Sequence, residues 1–177
     1  MKKFLIGCSL LCFIAVQASA QIPSFNQGDN VAGATIGFGG YYSGSYWNNV
    51  TRIPLISLYY ENCVKDNLWD EKSSLGIGGM LGYTSVKYEN WKTSTTVLGF
   101  RGALHYAFVD KLDTYTGLML GYNIISWNDD IYKYGNGSHV YIAWFLGARY
   151  YFTDTFAALA ELGVGAASIN LGVAFKF

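Results

Sequence analysis

The sequence predicts an all-β fold: an eight-stranded antiparallel up-and-down transmembrane β-barrel that follows a cleaved signal peptide. Three observations point there. The chain of 177 residues is 51% hydrophobic and 18% aromatic but only 14% charged, well below the roughly one quarter of a water-soluble domain. Past residue 20 no stretch approaches the about 20 consecutive apolar residues of a membrane helix, and a closed barrel is the other architecture that pairs every backbone polar group inside a bilayer. Finally, eight stretches alternate with period two, large apolar residues against a face of Gly, Ala and a few isolated charges.

The first element is the leader, residues 1–20. Lys2 and Lys3 form a basic start, Phe4 to Val16 an apolar stretch, and Ala18-Ser19-Ala20 an A-x-A cleavage site. Its removal takes two of the 12 basic residues and none of the 12 acidic ones, so residues 21–177 form a mildly acidic exported domain. Cys8 and Cys12 leave with it. Cys63 then stands alone, which rules out an intrachain disulfide and reads as a small strand residue.

The strands follow in order, the large-residue face given first. Ala32, Ala34, Ile36 and Phe38 alternate with Gly33, Thr35, Gly37 and Gly39; a second strand from Pro54 to Val64 sets Ile56, Leu58 and Tyr60 against Ser57, Tyr59 and Glu61. The third sets Leu75, Ile77, Leu81 and Tyr83 against Gly76, Gly78, Met80 and Gly82, and the fourth Leu98, Phe100, Leu104 and Tyr106 against Gly99, Arg101, Ala103 and His105. The fifth, beginning at Gly117, sets Leu118, Leu120 and Tyr122 against Gly117, Met119 and Gly121; the sixth sets Ile142, Trp144, Leu146 and Tyr150 against Ala143, Phe145, Gly147 and Arg149. The seventh sets Ala158, Ala160, Leu162 and Val164 against Leu159, Glu161 and Gly163, and the last Ile169, Leu171, Val173, Phe175 and Phe177 against Asn170, Gly172, Ala174 and Lys176.

Alternation alone leaves open which face is inside. The character of the second face decides, because a soluble barrel would turn Lys, Glu, Thr and Gln to water, whereas Gly and Ala belong where the walls of a narrow lumen crowd together. The large face then meets lipid. Aromatics near strand ends form two girdles, Tyr41, Tyr42, Tyr83, Tyr122 and Tyr141 at one rim and Tyr106, Phe108, Tyr150, Phe152 and Phe177 at the other. Connections near 43–51, 86–95 and 123–139 read as long polar loops; those near 109–111 and 153–155 read as tight turns, with 65–73 and 166–168 departing from the alternation. The two tight turns share a basic-Tyr-x-Phe-x-Asp-x-apolar pattern, at His105–Leu112 and Arg149–Phe156, that places Asp110 and Asp154 to bond turn amides.

In these residues and their spacing the chain resembles the small outer-membrane β-barrels of the outer-membrane protein X or opacity-protein type, in the form common in the Bacteroidota. The most specific motif is the last strand, where Asn170, Gly172, Phe175 and Phe177 match the polar-x-Gly-x-x-hydrophobic-x-hydrophobic signal read by the outer-membrane assembly machinery. The resemblance spans residues 21–177. It implies an outer-membrane location in a Gram-negative cell envelope, both termini periplasmic, and long loops outside in contact with lipopolysaccharide and with any host or surface ligand. It does not specify one activity.

The expected function is that of a non-enzymatic barrel acting through its surface loops, as adhesin, receptor or envelope-structural element. The alternative is a lipid-modifying acyltransferase or deacylase, for which Ser138, His139 and Asp129 or Asp130 are the candidate residues, although Ser138 and His139 point to opposite faces of a strand. Balanced charge leaves no basic stripe for nucleic acid. His105 and His139 have no Cys or carboxylate at ligand spacing, so neither a metal nor another cofactor is expected. Glu61, Arg101, Arg149, Glu161 and Lys176 fall on the lumen face and are expected to meet as a structural ion-pair network, with Arg149 and Glu161, on the arms of one tight hairpin, as its leading pair.

Overall fold

The computed structural model describes residues 25–40, 50–88, 91–127 and 137–177. Eight strands form a single closed barrel in which each pairs antiparallel with the next and the last with the first. They are β1 (Asn30–Phe38), β2 (Val50–Asp66), β3 (Ser73–Tyr88), β4 (Trp91–Val109), β5 (Leu112–Trp127), β6 (His139–Tyr151), β7 (Phe156–Gly163) and β8 (Ile169–Lys176). Closure leaves no free edge in the bilayer, where an unpaired backbone group costs several kcal/mol.

The strand faces lie as the alternation requires. Ile56, Leu58 and Tyr60 of β2, Leu118 and Leu120 of β5 and Ile142 and Trp144 of β6 are exposed on the outer wall, while Ser57, Tyr59, Glu61, Met119, Phe145 and Arg149 are buried inside. Glycine on the inner face has a plain steric cause, since bulky lumen side chains lie over glycines of the neighbouring strand: Tyr59 over Gly33, Met119 over Gly99, Tyr115 over Gly147 and Tyr141 over Gly121.

Aromatics outline the wall at the end that carries the short turns. Tyr106 and Phe108 have ring centroids 4.7 Å apart, and Phe156 links Phe152 at 6.1 Å to Phe175 at 5.1 Å. At the loop end Tyr83, Tyr122 and Trp127 face outward. Tyr141 does not join them. It shares parity with Ala143 and Phe145 and packs inside against the core, so its place in the girdle is corrected. Tyr41 and Tyr42 lie outside the described residues, as does the leader.

Several strands run further than the apolar alternation suggests. β3 continues to Tyr88 and β4 starts at Trp91, so the expected long loop at 86–95 is mostly a paired hairpin, with Thr93 to Thr96 laddered on both sides. β5 likewise continues to Trp127. The reason is height: these residues extend past the lipid band, where a paired strand has no need of an apolar face. β7 and β8 have 8 residues each against 19 in β4; at about 3.3 Å per residue and a tilt of about 40°, β7 and β8 rise only about 20 Å, within the ~25 Å apolar band, while β4 passes well beyond it. The barrel therefore has a tall wall, β2 to β6, and a low wall, β7, β8 and β1.

In the 152–155 turn the amides of Thr155 and Phe156 donate to Thr153 Oγ1 at 3.4 and 3.0 Å, the role expected of Asp154. The hydroxyl on the residue entering the turn reaches them first.

Candidate functional site

The turn-end half of the lumen holds a compact cluster of charge. Asp113 of β5 and Arg149 of β6 are directly opposite in register, and Arg149 Nε stands 2.9 Å from Asp113 Oδ2. The other side of the guanidinium reaches across the barrel to β2, where Nη2 is 3.0 Å from Glu61 Oε2. His105 of β4 bridges the two acids, Nδ1 at 2.9 Å from Asp113 Oδ1 and Nε2 at 2.8 Å from Glu61 Oε1. Gly76 makes room for that bridge, because a Cβ there would stand 2.9 Å from His105 Nε2 and against the Glu61 carboxylate. All four groups are buried.

A second pair lies beside it. Arg101 Nη2 donates to Glu161 Oε2 at 2.6 Å, with the Tyr115 hydroxyl donating to the same oxygen at 3.3 Å and Asn170 Nδ2 to Oε1 at 3.4 Å. The Arg101 guanidinium stacks 4.0 Å from the Phe145 ring centroid, and Arg149 lies 4.9 Å from that of Tyr115. Phe25, nearly inaccessible, closes the turn end, its ring centroid 5.0 Å from the Arg149 guanidinium and 4.6 Å from the His105 ring. Above the charges sit Met119, Phe145 and half-buried Met80, then an apolar cap of Leu55, Val97, Ala166 and Ala167.

The expected site residues thus divide. Glu61, Arg101, Arg149 and Glu161 lie in the lumen, but Arg149 does not pair with Glu161. The register does leave the two diagonal, Glu161 opposite Gly147 and Arg149 opposite Leu159, but Arg149 is held by Asp113 and Glu61 and Glu161 by Arg101. Lys176 also departs from the network. It lies at the turn-end rim, 3.6 Å from Asp29 and 5.2 Å from the Tyr151 ring centroid.

Asp113, His105 and Phe25 are members that the sequence reading did not assign. Carrying the fifth strand's alternation back from Gly117 places Asp113 on the lumen face, so the signal was present. Of the assembly motif, Phe175 and Phe177 face outward, and Gly172 is demanded by the closing seam, where a Cβ would stand 2.8 Å from Thr35 Cα.

The candidate hydrolytic residues do not converge among the described residues. Ser138 Oγ accepts the Ile125 amide at 3.3 Å, and His139 Nδ1–H donates to the Gly137 carbonyl at 3.0 Å. Asp129 and Asp130 lie outside the described residues. No group of three or more His, Cys, Asp or Glu able to hold a metal occurs among the described residues.

Closed sheet, apolar outer wall and filled interior together define the fold of an integral outer-membrane β-barrel protein. No family model matches the chain, and no curated protein matches it. Solved structures do. A transmembrane β-barrel designed de novo superposes with a TM-score of 0.53 at 15% identity, covering 86% of this chain and 98% of that one. Ail, the attachment invasion locus protein of Yersinia pestis, in complex with the heparin analogue sucrose octasulfate, gives 0.57 at 10% identity over 85% and 99%. Ail in a phospholipid bilayer nanodisc gives 0.51 at 11% over 85% and 100%. At such identities the likeness is one of fold.

Proposed function

We propose that this chain is a non-enzymatic protein of the bacterial outer membrane, exported by its residue 1–20 leader, anchored by a plugged barrel and acting through the loop end that faces outside. The observation that carries the reading is the filled lumen. Two ion-pair groups, Phe25 below and an apolar cap above occupy the cross-section, so the interior offers no passage and the exposed chemistry lies at the rims. Both termini and the short turns then face the periplasm. Lipopolysaccharide and membrane lipids surround the wall, Asn170, Gly172, Phe175 and Phe177 engage the assembly machinery, and a surface ligand meets the loops, in keeping with a fold that also serves Ail.

Fractionation tests this directly. The mature chain is expected in the outer membrane, with electrophoretic mobility that changes on boiling, and removal of Phe177 is expected to lower its level there. Recovery in the soluble periplasm with no heat-dependent mobility would overturn the reading. Unchanged levels without Phe177 would remove the assembly role of the last strand.

A further inference from the structure

The outer wall departs from its own alternation at two positions. On the lumen face glycine is forced by a neighbouring side chain, but Gly79 of β3 and Gly102 of β4 share the outward parity of Leu81 and Phe100. A Cβ at Gly79 would meet nothing nearer than Gly99 O at 3.4 Å, and one at Gly102 would meet nothing within 4 Å. Packing therefore does not demand glycine at either place. In register Gly79 stands between Tyr60 and Phe100, both exposed, so the missing side chain leaves a dent between two aromatic rings. The dent belongs to a groove of about 760 Å³ that crosses the lipid-facing wall from β2 to β6, bordered by Tyr60, Leu81, Leu98, Phe100 and Tyr122.

The same strands carry a polar end above it. Toward the loop end the outward rows pass from hydrocarbon to hydroxyl: Tyr83 donates to Ser94 Oγ at 3.1 Å, and Ser94 stands opposite exposed Ser126 of β5. One outward row further, Lys87 of β3 and Lys92 of β4 are directly opposite each other, and both are exposed. Like charges placed directly opposite across a sheet repel. An anion between them replaces that repulsion by two attractions. From Lys87 down to Leu81 the wall drops about 15 Å, at about 3.3 Å per residue and a tilt of about 40°. That is the span from the head group of a lipid into its chains.

We infer that this face is a docking site for lipid A, the phosphorylated multi-acyl anchor of lipopolysaccharide, with a phosphate between Lys87 and Lys92 and an acyl chain laid over Gly79 between Tyr60 and Phe100. Sugar hydroxyls then meet Ser94 and Ser126. The inference rests on the outer-membrane reading above, which sets the loop end in the outer leaflet. Charge complementarity selects the phosphate, since two ammonium groups offer concentrated charge and freely turning donors. Continuity selects a lipid over free phosphate, because the cations and the groove share β3 and β4 on the wall that faces the bilayer. Width selects lipid A over a two-chain phospholipid. The groove reaches from β2 to β6, about 19 Å at about 4.8 Å between strands, and its volume lies toward the upper end of ligand pockets.

The test places the full mature chain in phosphatidylcholine nanodiscs doped with lipid A, and native mass spectrometry reads the lipid retained on the released barrel. Saturable retention of lipid A is expected, weakened about tenfold or more when Lys87→Gln and Lys92→Gln are combined. Gly79→Leu, which fills the dent and keeps both lysines, is expected to weaken it as well. Lipid A stripped of its phosphates and phosphatidylglycerol are each expected to be retained poorly, and inorganic phosphate is expected not to compete. Equal retention by the wild type and the lysine double variant, or of dephosphorylated lipid A, would overturn the phosphate site. Wild-type retention by Gly79→Leu would overturn the groove, and equal retention of phosphatidylglycerol or competition by inorganic phosphate would overturn the choice of lipid A. Heat-dependent mobility verifies each fold; should the double variant fail to fold, Lys92→Glu, which gives Lys87 an opposite charge across the sheet, is expected to abolish retention in its place. Fractionation away from the outer membrane would overturn the reading beneath this inference, whereas correct fractionation with no retained lipid A overturns the site alone.

Discussion

The two halves of the lumen are lined by the same inward-facing strand positions and are filled by opposite chemistries. At the turn end Glu61, His105, Asp113 and Arg149 interlock with Arg101 and Glu161 close by; at the loop end an apolar cluster of Leu55, Val97, Ala166 and Ala167 closes the bore, flanked by uncharged Ser57, Thr95 and Asn123. The wall differs in step, continuous around the turn end and lowered at the loop end along β7, β8 and β1. Alternation decides which side chains enter a barrel, and register across the bore decides what they meet. A buried charge is tolerable only when its partners arrive from other strands, so the charged half depends on closure in a way the apolar half does not.

The sharpest way to break that contrast is to remove the hub of the charged half. Arg149→Ala leaves Glu61 and Asp113 buried with only His105 between them, and is expected to cost about 3–5 kcal/mol in urea unfolding from lipid vesicles. A loss below about 1 kcal/mol would mean that water already solvates the two acids. Next in size is a coupling. A double-mutant cycle on Arg101→Ala and Glu161→Ala is expected to show about 2 kcal/mol of interaction, whereas Arg149→Ala combined with Glu161→Ala should be additive within ~0.5 kcal/mol. The reverse ranking would restore the hairpin pairing that sequence spacing suggested. In the apolar half Val97→Ala removes two buried methyl equivalents and should cost about 1.5 kcal/mol, with no coupling to Arg149.

The difference between these halves also marks how far the sequence could be read. Side-chain parity was legible in all eight strands because lipid and a crowded lumen demand opposite residue sizes. Strand length was not, since Thr93 to Thr96 stand above the lipid band and no longer need an apolar face. Partner identity was legible only in part. Arg149 and Glu161 are diagonal neighbours on one hairpin, yet Arg149 is taken by Asp113 and by Glu61 from the far side of the bore, and Glu161 by Arg101. A bulge between Ile53 and Ile56, beside Pro54, shifts the parity of the β2 residues before it.

The smallest effect expected lies outside the membrane band, in the 67–72 turn. Desolvation works against ionisation of Asp70, but bonds from the Lys72 amide at 3.0 Å, the Tyr106 hydroxyl at 3.0 Å and Ser73 outweigh it and hold the carboxyl below its ordinary range. A depressed carboxyl stabilises the turn above the unfolded value of about 3.9 and loses that contribution as pH falls through the lower folded value. Protection of the Lys72 amide, its exchange measured against the intrinsic rate at each pH, is therefore expected to fall on acidification through that window in the wild type and to be flat in Asp70→Asn. A flat wild-type profile would place the turn's stability in the Ser73 hydroxyl instead.

The charged half and its apolar cap seal the bore. Single-channel recording of the mature protein in planar lipid bilayers tests it most directly. No steady current is expected from the wild type. A stable, reproducible conductance of the wild-type barrel would contradict it.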